Sequence, residues 1–308
     1  MNKKGKGVIV VKKSKYELLT ELKVQEVFGQ SRSIPLNYVE RKTVDDLFLA
    51  KLSTNKHIVL CGSSKLGKSS MYRFNLEQDR YEVIHCSNNW DIGRLNAQIL
   101  RHTGFELKTS TYKTIDGKTK VLASYRSSDQ KVPQPKESLG REMEKFQSIE
   151  LDPYDPNDII DALKLTGFNK YIILEDFHYL QESTKENFCI QLKTFHETSS
   201  ITFIIAGTWN DENKLEEFNP DLIGRLCSIN VSEWSRDELM RVIIRGEKLL
   251  NISLSDEAKG EILNWCNDDV FRLQEICLEF CLRNGIRYAQ EIATDLGYNI
   301  EVADLKLN

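Results

Sequence analysis

A chain of 308 residues, 40% hydrophobic and 29% charged, can bury a substantial core as one large domain or two smaller ones. Its longest apolar runs, such as HIVLCG and ITFIIAG, fall far short of the roughly 20 residues that a membrane-crossing helix needs. A net charge of −4 gives no global electrostatic case for nucleic acid.

The opening stretch MNKKGKGVIVVKKSK carries six lysines and no acid, with too short an apolar run for a secretory signal, so the cytoplasm is the expected compartment. The seven cysteines, at 61, 86, 189, 227, 266, 277 and 281, form no C-x-x-C pair, and they read as reduced core thiols. YELLTELKVQEVFG then has helical spacing and stops at Gly29. In the next segment Val44, Leu47, Phe48 and Leu52 fall on one predicted helical face. KHIVLCG reads as a short buried strand that ends at Gly62.

The loop that follows, GSSKLGKS at 62–69, matches G-x-x-x-x-G-K-[ST] with a strand before it and a helical pattern after it. Its glycines let successive backbone N–H groups turn inward around a phosphate chain, and the following helix N-terminus adds partial positive charge. The expected nucleotide-binding set is Gly62, Ser63, Ser64, Lys65, Leu66, Gly67, Lys68, Ser69 and Ser70. Lys68 is placed to reach the β- and γ-phosphates, and Ser69 to hold Mg²⁺.

A second strand, YEVIHCS, leads into a helix with Ile92, Leu95, Ile99 and Leu100 at core spacing and Asn88 or Asn89 as candidate caps. Residues 105–150 break this rhythm. TYKTIDGKTKVLASYR suggests a hairpin about an Asp-Gly turn, SSDQKVPQPKES reads as a linker, and the whole is an insertion or mobile loop. Seven Lys or Arg against three acids in 105–136 make it, like the N-terminal arm, either a solvated segment or a polyanion contact.

The helical pattern DIIDALKLTGF comes next, then the strand KYIILEDF, whose apolar run ends on Glu175 and Asp176. A buried carboxylate without a partner is costly, so the pair either leaves the core there or meets a cation. With a phosphate loop on another strand, Glu175 is assigned to the Mg²⁺ side and Asp176 to the attacking water. A helix with Phe188, Leu192 and Phe195 on one face follows, and then the strand ITFIIAGT. This alternation argues for parallel strands joined by helical crossovers, with the ligand at the strands' carboxyl ends. CSINVSEW is the expected last strand. Beyond it SRDELMRVIIRGEKLLN opens with a capping box, Ser235 with Glu238, and DDVFRLQEICLEFCLRNG puts Val270, Leu273, Cys277 and Phe280 on one stripe ending at Asn284-Gly285.

These motifs give the chain a resemblance to AAA+ or STAND-type P-loop ATPases, in outline the initiator and transposition-regulator ATPases, over about residues 36–285. GSSKLGKS corresponds to Walker A and IILED to Walker B. The resemblance implies an α/β fold: a P-loop NTPase with a mainly parallel sheet flanked by helices, plus a small C-terminal all-α lid. The expected divisions are a basic arm and helix (1–35), the ATPase core (36–232, with the 105–150 insertion), the lid (233–290) and a tail (291–308). The resemblance also places Arg41 or Tyr38, in YVERKTVDDLF, near the adenine. Thr208, or nearby Asn210, is a polar sensor of the γ-phosphate, Arg225 is an arginine finger reaching a neighbouring subunit, and Arg272 is the sensor arginine of the lid. On the residues alone, Arg225 could instead pair with Asp221, and Arg272 with Asp268 or Glu275.

Family members more often carry aspartate then glutamate at Walker B; the reverse order here implies slow hydrolysis, suited to a switch. The resemblance thus implies ATP and Mg²⁺ as cofactors, a homo-oligomer, and a partner or effector on a separate polypeptide, with no membrane. A DNA-binding regulator forming filaments and a nucleotide-gated scaffold with little turnover are the alternatives. The general look of such ATPases also suggests a role in antiviral defence.

Overall fold

The computed structural model describes residues 21–30, 33–115, 118–126, 146–209 and 213–297. The basic arm before residue 21, the Asp116-Gly117 turn, the 127–138 linker, Asn210 and the last residues of the tail lie outside them. The chain divides into two compact units, one spanning Lys42–Ser232 and one combining the segment up to Arg41 with the segment from Glu233 onward.

In chain order the first described helix is α1 (Val24–Phe28), which ends at Gly29. Gly29 closes it in extended rather than left-handed backbone, its N–H donating to the Gln25 carbonyl. A π-helical turn over Lys42–Asp46 then leads into α2 (Leu47–Leu52). The wider turn shifts the helical face: Val44 and Phe48 are buried as expected, but Leu47 is 37% exposed, which corrects its assignment to the same stripe.

Next come β1 (His57–Cys61), α3 (Lys68–Asn75), β2 (Tyr81–His85) and α4 (Ile92–His102). The expected core residues of α4 are all buried. Its cap is Asp91, whose carboxylate accepts from the Arg94 N–H at 2.7 Å, and not Asn88 or Asn89. Those asparagines lie in a turn closed by the Trp90 N–H on the Ser87 carbonyl.

The described residues of the 105–150 segment are built as sheet. β3 (Phe105–Ile115), β4 (Lys118–Arg126) and β5 (Phe146–Leu151) form an antiparallel three-stranded sheet in the order β3-β4-β5. The paired hairpin strands match expectation, and for the described residues the reading as a mobile loop is corrected. Phe105, Val121, Ala123, Tyr125 and Leu151 join the main core, so the insertion is packed through apolar side chains.

After α5 (Pro156–Leu165) come β6 (Tyr171–Glu175), α6 (Glu182–Thr198), β7 (Phe203–Ala206), the short α7 (Lys214–Phe218) and β8 (Leu226–Asn230). Five short strands form one parallel sheet in the order β2-β6-β7-β1-β8, with the apolar β6, β7 and β1 at its centre. Strands this apolar require cover on both faces, and the alternation of side chains shows it. Val59, Ile172, Leu174, Phe203 and Ile205 face one core with residues of α4, α5, α6 and the insertion. Ile58, Leu60, Ile173, Ile204 and Ala206 face another with Val44, Phe48, Met71 and Tyr72. By period two, Glu175 points to the second face, the one covered by α3.

The other unit contains α1 together with α8 (Arg236–Leu250), β9 (Ile252–Leu254), α9 (Asp256–Cys266), α10 (Val270–Arg283) and β10 (Thr294–Leu296). The Ser235–Glu238 capping box forms, and the predicted stripe on α10 is buried. The C-terminal segment is not wholly helical, however, because β9 and β10 pair as a two-stranded parallel ribbon. The N-terminal segment is tied into this unit by backbone, with the Val24 N–H on the Arg287 carbonyl at 3.0 Å and the Ala289 N–H on the Leu22 carbonyl at 2.8 Å.

Candidate functional site

The loop between β1 and α3 leaves the sheet where β1 lies between β7 and β8, while the chain's next strand, β2, is at the sheet edge. Such a reversal of strand order opens a crevice at the carboxyl ends. Gly62 and Gly67 adopt φ of +128° and +99°, backbone that glycine enters without the penalty of a Cβ. A Cβ on Gly62 would also fall 2.3 Å from Ser232 Oγ. Lys65 takes φ of +65° between them. The loop's start is fixed by two hydrogen bonds, from the Gly62 N–H to the Trp209 carbonyl at 2.8 Å and from the Ser63 N–H to Ser232 Oγ at 2.9 Å.

Ser63, Ser64 and Lys65 are exposed, Leu66 is tucked inward at 7% exposure, and Gly67, Ser69 and Ser70 are half-buried. Lys68 opens α3 and folds its ammonium back over the loop, donating to the carbonyls of Gly62 (2.8 Å) and Ser63 (2.7 Å). Burial lowers its pKa, and the negative charge of Glu175 offsets part of that effect. A cation held over a ring of backbone amides, on carbonyls it can exchange for a better acceptor, suits a polyanionic ligand.

Ser69 and Glu175 come together. The Ser69 hydroxyl donates to Glu175 Oε1 at 2.7 Å, and the carboxylate, at 6% exposure, is one of the few buried acids of the described residues. Tyr72 donates to the same oxygen at 2.8 Å. A hydroxyl and a carboxylate oxygen at hydrogen-bond distance are hard oxygen ligands of the kind Mg²⁺ takes, so the residues fit that ion.

Asp176 breaks the strand's alternation. It sits at φ of +58°, closes a turn through its carbonyl and the Tyr179 N–H, and keeps its carboxylate half-exposed, 3.7 Å from His85 Nδ1. The two adjacent acids thus occupy two environments: Glu175 is buried and hydrogen-bonded, whereas Asp176 is turned out beside the loop. His178, beyond it, packs against Tyr179 with ring centroids 4.1 Å apart and the rings tilted by 42°, and its Nδ1 is buried without a hydrogen bond.

Thr208, at the exit of β7, is half-buried and lines a cleft of about 180 Å³ with Phe177, His178, Lys185 and Trp209 among its walls. Arg225 lies away from these groups. Its guanidinium is paired with Glu197 at 2.6 Å and donates to the Asp221 carbonyl, while the Asp221 carboxylate takes Lys193 instead. The alternative pairing with Asp221 is therefore met through backbone, and the charge partner is Glu197.

Tyr38, Arg41 and Arg272 belong to the other unit. Tyr38 is buried. Arg41 is 1% exposed, with its guanidinium carbon 4.1 Å from the Trp234 ring centroid and a hydrogen bond to the Glu233 carbonyl. Arg272 is exposed, and its backbone N–H donates to the capping Asp269 carboxylate.

Reading the motifs missed four participants: Tyr72, His85, the Trp209 carbonyl and Ser232. A signal existed for Tyr72 only, since it follows Ser69 by three residues on a helix and so shares its face.

No protein-family profile matches the chain, and none of the curated proteins is similar to it. Among solved structures the chain is similar to a Walker-type ATPase of Pyrococcus abyssi, with 15% identity, a TM-score of 0.51, and coverage of 81% of this chain and 72% of that one. More distant likenesses are to RuvB of Thermotoga maritima (12% identity, TM-score 0.45, 82% and 66% covered) and to Cdc6p of Pyrobaculum aerophilum (14%, 0.47, 86% and 68%). The chain thus spans between 66% and 72% of the length of these structures. Among the described residues no helix is long and apolar enough to cross a membrane. With its parallel β2-β6-β7-β1-β8 sheet, a phosphate loop after β1 and an acid pair at the end of β6, the chain has a P-loop NTPase fold like that of the Walker-type ATPase.

Proposed function

We propose that the protein binds ATP with Mg²⁺ and hydrolyses it slowly, as a nucleotide-gated switch of the AAA+ or STAND kind. The observation that carries this reading is the meeting of Lys68, Ser69 and Glu175 behind a loop with two left-handed glycines. Backbone N–H groups from residue 64 onward, including those of the α3 N-terminus, hold the phosphates, and Lys68 exchanges its two carbonyls for phosphate oxygens. Ser69 and Glu175 hold Mg²⁺, which when bound neutralises charge developing on the transferring phosphoryl group. Asp176, half-exposed at the same strand end, orients the attacking water and accepts its proton. Its short side chain and left-handed backbone favour a slow step. Thr208 senses the γ-phosphate from the neighbouring strand.

The finer parts of the reading concern assembly. Arg225 reaches a second copy's nucleotide once it leaves Glu197, so hydrolysis is coupled to oligomerisation, and the assembled state gates a separate protein partner. The test of the central reading is release of phosphate from ATP by the purified chain, with and without Mg²⁺. Mg²⁺-dependent turnover supports it, and failure to bind or turn over any nucleoside triphosphate would sink it.

A further inference from the structure

Tyr72 sits in the second turn of α3, fully buried, in a position set by packing as much as by chemistry. Its ring joins the core face that includes Ile58, Leu60 and Met71, and it meets the Tyr81 ring edge-on at 5.5 Å. The Arg73 guanidinium lies 5.7 Å from its centroid. From that fixed ring the hydroxyl donates to Glu175 Oε1 at 2.8 Å, since a carboxylate offers only acceptors.

Glu175 Oε1 is therefore shared by two hydroxyls, while Oε2 takes part in neither bond. The two donors differ. Ser69 is half-buried at the rim of the loop, with a short side chain that rotates about a single bond; Tyr72 is locked in the core. A carboxylate that must serve a cation needs its orientation fixed by an outer donor that does not itself compete for the ion. Only Tyr72 meets that requirement among the groups bonded to Glu175.

We infer that Tyr72 is a positioning residue for the metal-side carboxylate, holding Glu175 by Oε1 so that Ser69 and the rest of the carboxylate are available to Mg²⁺. This rests on the ATPase reading and adds to it a residue that no phosphate-loop motif specifies. The hydroxyl acts on metal affinity and leaves the phosphate contacts of Lys68 and the loop amides unchanged.

Tyr72→Phe keeps the ring and its packing and removes the oxygen alone, and binding of a fluorescent ADP analogue to the full-length chain, titrated with Mg²⁺, reads the effect. Expected is an Mg²⁺ half-saturation point raised about 10-fold, the range found for loss of an outer-sphere partner, with nucleotide affinity in EDTA within about twofold of wild type. An unchanged Mg²⁺ titration overturns the inference, and so does an equal loss of affinity in EDTA. A second readout needs no nucleotide. Tyr72→Phe should lower the melting temperature in the wild-type background and leave it unchanged or raised in a Glu175→Ala background, where the hydroxyl has lost its acceptor. Equal losses in both backgrounds would refute the contact. Failure of the ATPase reading looks different, because the wild type itself then binds no nucleotide with or without Mg²⁺ while the melting cycle still reports on the pair.

Discussion

Acid should weaken the sheet unit through one residue, His57. It begins β1 with 1% exposure, and its ring is used at both nitrogens: Nδ1 accepts from the Phe203 N–H at 3.1 Å, and Nε2–H donates to the Leu192 carbonyl at 3.2 Å. That arrangement fixes the neutral tautomer, since a protonated Nδ1 would face a donor. Burial, with the neighbouring His196 adding to it and the Leu192 carbonyl opposing it, lowers the pKa from 6.5 to about 3. The unfolded chain therefore binds a proton that the folded chain refuses between those values. Stability is unaffected by His57 above pH 6.5 and falls by about 1.4 kcal/mol for each pH unit below it. At pH 4.5 the loss is about 3 kcal/mol, a large part of a typical domain's stability. Urea unfolding at pH 7 and pH 4.5 measures it against His57→Gln, whose amide can supply a donor and an acceptor but does not titrate. Carboxylates contribute to both proteins alike, so the difference between their slopes belongs to His57. Wild type should lose about 3 kcal/mol more than the variant over this interval; equal losses would refute the reasoning.

Two further predictions concern turnover. Arg225→Ala should keep ATP affinity within about threefold and reduce phosphate release by the 10³-fold or more expected of an arginine finger; a parallel loss of binding would show that the Glu197 pair only holds the fold. Asp176→Asn should preserve Mg²⁺-ATP binding and lower hydrolysis by about 10²-fold, the scale of a lost general base, as read by single-turnover phosphate release. An unchanged rate would move the water-activating role elsewhere.

Much of the sheet unit was legible because its central strands β1, β6 and β7 are continuous apolar runs bounded by glycine or acids, and parallel strands buried on both faces leave that trace. The phosphate loop was legible for a different reason: glycines at 62 and 67 are demanded by backbone geometry and hence written directly in the sequence. What failed depended on partners distant in the chain. β5 is six residues long and is defined by its pairing with β4, across a long connection, and β9 and β10 are three residues each and exist only as a pair. Leu47 turned outward because a π turn changed the helical phase, which apolar spacing does not encode. Asp91 displaced the asparagines as cap because the turn at Ser87–Trp90 consumed them. The Glu175 environment needed the strand order itself: only with β6 beneath α3 do Ser69 and Tyr72 reach one carboxylate oxygen.

The central claim is that the loop at 62–69 holds the phosphates of a nucleotide through Lys68. Equilibrium binding of ATP and ADP to wild type and to Lys68→Ala, by calorimetry with Mg²⁺ present, measures this most directly. Removing a charge-assisted contact in a partly buried site costs about 2–5 kcal/mol, so the account predicts affinity lower by at least about 30-fold in the variant, with its melting temperature unchanged in the absence of nucleotide. Equal affinity of the two proteins, or no binding by wild type, would contradict it.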